Sequence, residues 1–299
     1  MPPNGTEVDG WAGPCLLPES LKPHLVLRYD TARHDFCSAA QAALGWPHDL
    51  SELKAKPVGP ASATPPALHR GQVQAQLRTP CSKEDSKRQR KAWLGNEGRR
   101  ALERVYQTFV REVVLPHFGC DILYQAAPIW RCVLPGSVAP CAPHCDADYF
   151  HDPSEVNFWL PLTRVGGSNS LWCESAPGRG DFAPFELRYG EAQRFYGNRC
   201  RHRTLPNDTA TSRCSLDFRV IPAHLAAAPG GGFRSQFKLE DGGYYALMRV
   251  EPGEAATPAP ALGPAPTAPA EAPTAAASAA MPTATATAAA TATATATAT

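Results

Sequence analysis

The sequence predicts a mainly β domain, a double-sheet jelly roll with helices packed on one side. Short runs rich in β-forming residues recur between about 121 and 221, and Gly, Pro and Asn turns separate them. Upstream lie two stretches whose apolar residues repeat at helical spacing. Across 299 residues, 43% are hydrophobic and 19% charged, which supplies one sizeable core and one catalytic domain, placed at 23–250 behind an extension at 1–22.

The first helix is expected at roughly 34–44. Residues 54–86, rich in Pro, Ala, Ser and Gln without apolar periodicity, read as a loop or insertion. From Gly95 to His117 an amphipathic helix follows, with Leu102, Val105, Phe109 and Val113 on its apolar stripe. The basic residues of the block Lys83 to Arg104 then form its solvated face. Strands are predicted at 121–126, 129–134, 155–163, 171–173, 185–188, 192–196 and 214–221. In the third, Val156, Phe158, Leu160 and Leu162 share one face, and Asn157 and Trp159 the other. Beyond residue 251 the chain has no aromatic residue and neither Lys nor Arg, so this tail is expected to be disordered.

A formal net charge of +1 gives no basis for a nucleic-acid or membrane partner, and no aromatic residues interleave with the basic block as single-strand binding would need. Ten cysteines without a CxxC pair suit a reducing compartment. The start of the chain lacks the basic and apolar regions of a signal peptide, so a cytoplasmic protein is expected.

Chemistry concentrates in the β region. His144-Cys145-Asp146 places an imidazole and a carboxylate two residues apart on an extended segment, and His202 follows 58 positions later. Two imidazoles and one carboxylate form a facial triad that holds Fe(II) and leaves three positions open. On a later strand, Arg213-Cys214-Ser215 puts a guanidinium and a hydroxyl on one face, suited to the far carboxylate of 2-oxoglutarate. The duller readings are a core-bound His144 or His202, and an Arg213 paired with Asp217 or Glu191. His151 reads as a surface residue. Arg131, Tyr149, Asn157, Trp159 and Trp172 are candidates for a mixed aromatic and polar substrate mouth.

His144-Cys145-Asp146, the run Asn157 to Thr163, Tyr189-Gly190-Glu191-Ala192 with Phe195, and His202 through Pro206-Asn207 resemble one family. It is the phytanoyl-CoA dioxygenase-like branch of Fe(II)/2-oxoglutarate oxygenases, in particular its streptomycin-biosynthesis type. The resemblance covers about 120–222. It implies a double-stranded β-helix (cupin-like), iron on His144, Asp146 and His202, and 2-oxoglutarate on Arg213 and Ser215. The expected activity consumes O2 and hydroxylates a small polar metabolite with release of succinate and CO2. Asp146 disfavours halogenation, because a halide site would lack that carboxylate. The competing expectation is a non-catalytic jelly-roll module that binds a sugar or small metabolite.

Overall fold

Two antiparallel sheets face each other, and the candidate site lies between them. The computed structural model describes residues 17–53, 97–136, 142–226 and 238–251. The predicted insertion at 54–86 and the tail from 252 lie outside the described residues, as does the basic block before residue 97.

The larger sheet runs β1 (Leu25–Arg28), β7 (Glu191–Phe195), β4 (Val156–Pro161), β9 (Arg213–Pro222), β2 (Ile122–Gln125) and β10 (Tyr245–Met248), with β3 (Ile129–Val133) also paired to β9. The smaller sheet runs β6 (Ala183–Pro184), β5 (Leu171–Cys173) and β8 (His202–Thr204). This is the mainly β jelly roll expected, with helices on the outer face of the larger sheet.

Strand β9 is the spine of the fold, because β3, β4 and β2 all pair with it. Its side chains alternate. Phe218 points outward, where it stacks on Phe158 of β4 at 5.2 Å and meets the edge of Tyr106 at 5.0 Å. Arg213, Ser215, Asp217 and Arg219 belong to the opposite face, which looks toward the smaller sheet. Burial on both sides explains why nearly every residue of β4 and β9 is inaccessible. Truncating Phe218 to Ala would cost about 3–5 kcal/mol, since the stack has no neighbour free to refill the space.

Helix α1 (Phe36–Leu44) starts at Asp35, whose side chain accepts the Ser38 N–H, and stops at Gly45 in the left-handed region (φ 60°). Helix α2 (Glu97–Phe109) buries Leu102, Tyr106 and Phe109, one face at i, i+4 and i+7. The two helices touch at Gly98, where a Cβ would fall 2.3 Å from the Ala43 nitrogen. The single helix expected to His117 is instead an α-helix followed by a π turn (Val110–Val114) and a 3₁₀ turn (Leu115–His117). Pro116 accounts for the change, having no N–H to give to the ladder.

The sequence reading also differs at the small strands. The run expected at 185–188 forms only an isolated bridge, Val165 to Leu187, while β6 lies just before it. Glu186 there accepts from the Gly167 N–H at 3.2 Å rather than continuing a ladder. Strands β1 and β10 fall outside the runs predicted from sequence. Leu17 and Leu21, assigned from sequence to the extension, are buried in the main core. Among the described residues, no helix is long and apolar enough to cross a membrane.

Candidate metal centre

His202 sits on β8, and the segment carrying His144 runs antiparallel beside it. The two residues exchange both backbone hydrogen bonds, His144 N to His202 O at 3.1 Å and His202 N to His144 O at 2.8 Å. Direct opposition brings the ring centroids to 4.4 Å. Two residues on, the Asp146 N–H donates to Gly197 O at 2.9 Å and opens a 3₁₀ turn, Asp146–Tyr149. That turn closes at Phe150 in the left-handed region (φ 58°), a conformation that costs a bulky residue about 1 kcal/mol or more. The outcome is a cluster in which ligand atoms of His144, Asp146 and His202 all lie within 4.8 Å of one another.

The hydrogen bonds around the cluster select which atoms face a metal. His144 Nδ1 lies 2.9 Å from Ala142 O, and His202 Nδ1 lies 3.1 Å from Cys200 O. A carbonyl only accepts, so Nδ1 carries the proton in both rings and the Nε2 lone pairs are the metal-ligating ones. Asp146 is 1% exposed. Its Oδ2 accepts from Asn157 Nδ2 at 2.7 Å and from Arg219 Nε at 2.8 Å, while Oδ1 lies 3.7 Å from His202 Nε2. Burial alone would raise its pKa, but the Arg219 charge, His202 and the donors on Oδ2 hold it below the ordinary carboxylate range. Burial pushes His202 the other way, below its usual value, with His144 and Arg219 adding to the effect against Asp146. An ionised carboxylate and a neutral imidazole are the forms that bind a divalent metal.

A cavity of about 80 Å³ opens from these ligands between the sheets, lined among others by Trp159, Leu171, Phe195, Thr204 and Arg213. Arg213 is 1% exposed and donates from one terminal nitrogen to Asn169 O at 3.2 Å. Its Nε has no hydrogen-bond partner, nor do the buried hydroxyls of Ser215 and Thr204. The guanidinium lies 5.8 Å from the Trp159 ring centroid. Burial first, and then the charge of Arg131, push its pKa down to about 10. Arg213 and Thr204 line the cavity, whereas Ser215, two residues along β9 from Arg213, does not; an unpartnered guanidinium nitrogen and a hydroxyl in the lining fit an incoming carboxylate.

The structural ion pair weighed for Arg213 is not formed. Asp217 is taken by Arg131, with Nε to Oδ1 at 2.5 Å, and Glu191 lies 3.3 Å from Arg28 and 3.5 Å from Arg188. His151 is buried rather than on the surface, bound through Nδ1 to Glu155 at 2.8 Å.

Among the candidate substrate residues, Arg131, Asn157 and Trp159 line the cavity. Tyr149 does not line it; it is 48% exposed, with its ring centroid 5.2 Å from that of His144, which does. Trp172 is not brought in. The alternation of β5 turns Leu171 inward, and the Trp172 indole instead donates to Gly167 O at 2.8 Å. Sequence reasoning missed Arg219 and Thr204, although both continue a period-two pattern, Arg219 six residues after Arg213 and Thr204 two after His202. Gly197 also belongs to the site. A Cβ there would lie 2.7 Å from the Asn157 amide carbon, so only glycine leaves Asn157 room to reach Asp146.

A second, larger groove of about 650 Å³ lies elsewhere, lined among others by Cys37, Asp49, Arg164, Glu186 and Tyr189, and holds none of the three ligands.

No protein-family model matches the chain. Among solved structures, the non-heme monooxygenase ThoJ in complex with nickel is 15% identical, with 82% of this chain and 87% of that one covered at a TM-score of 0.40. The epimerase SnoN, solved with Fe3+, alpha ketoglutarate and nogalamycin RO, is 16% identical, with coverages of 77% and 95% at a TM-score of 0.38. The sequence relative is nearer but partial: over 122 residues, 40% of its length, the chain is 42% identical to the streptomycin biosynthesis protein StrG of Streptomyces griseus, and it spans 57% of that protein.

Proposed function

We propose that this chain is a non-haem Fe(II)- and 2-oxoglutarate-dependent oxygenase that hydroxylates a small polar metabolite. The observation that carries the reading is one cavity with two complementary ends. Its lining includes the three metal-ligating side chains and, besides them, Arg213 and Thr204, whose buried Nε and hydroxyl have no partner.

Roles follow from chemistry at each atom. His144 Nε2, His202 Nε2 and one oxygen of Asp146 would hold Fe(II). Arg213, Ser215 and Thr204 would receive the far carboxylate of 2-oxoglutarate, the Arg as a charge-assisted donor and the hydroxyls as neutral ones. When bound, iron and cosubstrate supply the oxidising chemistry, with O2 consumed and succinate and CO2 released. Trp159, Leu171 and Phe195 line the space with apolar surface and keep water from it. No side chain is required as a general base. Arg131, paired with Asp217, and Tyr149 offer polar and aromatic contact for a metabolite at the mouth.

Anaerobic titration of the protein with Fe(II) and then 2-oxoglutarate tests this directly. A visible metal-to-ligand charge-transfer band that needs both components is the expected result. If 2-oxoglutarate binds with no iron-dependent band, the pocket is a binding module and the oxygenase assignment fails.

A further inference from the structure

One buried guanidinium stands between two buried carboxylates behind the metal ligands. Arg219 is 8% exposed; its Nε donates to Asp146 Oδ2 at 2.8 Å and lies 3.3 Å from Glu155 Oε2. A terminal nitrogen reaches Gln125 Oε1 at 3.4 Å and the Tyr244 hydroxyl at 3.5 Å. Glu155, wholly buried, is fixed in turn. It accepts from the Tyr245 hydroxyl at 2.6 Å, the Asp152 N–H at 3.1 Å and His151 Nδ1 at 2.8 Å. Buried charge of this kind is a poor device for stability alone, because apolar side chains of similar volume serve as well or better.

Its geometry bears on one atom. A carboxylate can bind a metal through one oxygen or through both. Oδ2 of Asp146 already accepts two hydrogen bonds, from Asn157 and Arg219, which use its two lone-pair directions. Binding through both oxygens would break at least one of them, including a charge-assisted bond in a buried setting. Oδ1 carries neither donor and faces His202 Nε2.

We infer that Arg219, braced by Glu155, is a positioning residue that confines the metal to a single oxygen of Asp146, and so keeps three coordination positions free. The inference rests on the metal-centre reading above. It names a role for two residues that the metal and cosubstrate assignments leave unused.

The test uses the intact protein loaded with Mn(II), with the aspartate carboxyl carbons isotopically labelled, and reads infrared difference spectra between metal-free and loaded forms. A wide separation between the antisymmetric and symmetric carboxylate stretches marks binding through one oxygen, and a narrow one marks binding through two. Wild type is expected to be wide, Arg219→Met narrow, and Arg219→Lys wide again, since an ammonium can still donate to Oδ2. A folded, loaded Arg219→Met protein that stays wide would overturn the inference, as would a wild type that is already narrow. Should Arg219→Met fail to fold, Glu155→Gln decides, because loosening the brace is expected to narrow the separation and an unchanged value counts against it. Failure of wild type to take up Mn(II), or uptake that leaves the aspartate stretches unchanged, would overturn the metal-centre reading and this inference together; equal separations in wild type and Arg219→Met would overturn only the latter.

Discussion

The two ends of the cavity are finished to different degrees. At the metal end, the Nδ1 atoms of His144 and His202 are bound to carbonyls and Oδ2 of Asp146 accepts two donors, so the ligand atoms are aimed before any metal arrives. At the far end, Arg213 Nε and the Ser215 and Thr204 hydroxyls are buried without partners. Each such orphan costs about 1–3 kcal/mol in a folded protein. The proposed function accounts for the difference: one end is organised by the chain, and the other would be completed by a ligand. Variants at the two ends should therefore fail in different ways.

The largest effect is expected at the metal end. His202→Ala removes one of three protein ligands, and its Fe(II) affinity should fall by more than the roughly ten- to hundredfold that outer-sphere partners command. Iron content and succinate formation should both vanish, while circular dichroism stays native because β8 keeps its backbone pairing to His144. Normal iron content in this variant would break the comparison at its root.

Next comes Arg213→Leu, which should lower 2-oxoglutarate affinity by about ten- to a hundredfold, the worth of a charge-assisted contact of about 1.5–3 kcal/mol. Iron affinity should hold. Without cosubstrate the variant should melt no lower than wild type, and is expected to gain up to about 1–4 kcal/mol, because a buried charge with incomplete partners is replaced by an apolar side chain. A lower melting temperature together with lost iron would show that Arg213 braces the fold, and the far end would no longer differ from the metal end.

How much of this was readable from sequence depends on how far apart the cooperating residues are. His144 with Asp146, and Arg213 with Ser215, stand two residues apart, and strand alternation alone puts each pair on one face. Arg219 became visible only when register set it opposite Asn157 across β4 and β9. Glu155 reaches the same guanidinium from the residue before β4, a contact that no local pattern marks. Trp172 is a mouth candidate from sequence because it is aromatic, and since Leu171, Trp172 and Cys173 are all apolar, their sequence does not give the phase of β5 that turns it away. Strand β8 has only three residues, one of them Arg203, and it is held by pairing on both sides rather than by β propensity. Fold class follows from repeated patterns, whereas the charged contacts behind the ligands follow from strand order.

Asn157→Leu probes the finish of the metal end without touching a ligand. One of the two donors on Asp146 Oδ2 is lost and Arg219 remains, so metal affinity should drop by about tenfold, the low end for an outer-sphere partner. Cosubstrate affinity, measured at saturating Fe(II), should change little. An equal loss in both would mean that Asn157 serves the whole cavity rather than one end.

The smallest effect sharpens the far end itself. Ser215→Ala removes a neutral hydroxyl that is buried and has no partner in the absence of cosubstrate. A neutral hydrogen bond contributes about 0.5–1.5 kcal/mol, so 2-oxoglutarate affinity should fall by roughly two- to tenfold, less than for Arg213→Leu. Stability should rise, by up to the roughly 1–3 kcal/mol that the orphaned hydroxyl costs, since the alanine leaves no unsatisfied hydroxyl behind. Arg213→Lys belongs between the two: it keeps a charge but replaces the planar fork with an ammonium on a flexible stem, and should recover only part of the loss. The order Leu, Lys, then Ala at Ser215, read from cosubstrate affinity on folded proteins, is what a carboxylate site predicts. If Ser215→Ala cost as much as Arg213→Leu, the hydroxyl would be the main anchor, and the orphaned guanidinium would need another ligand to account for it.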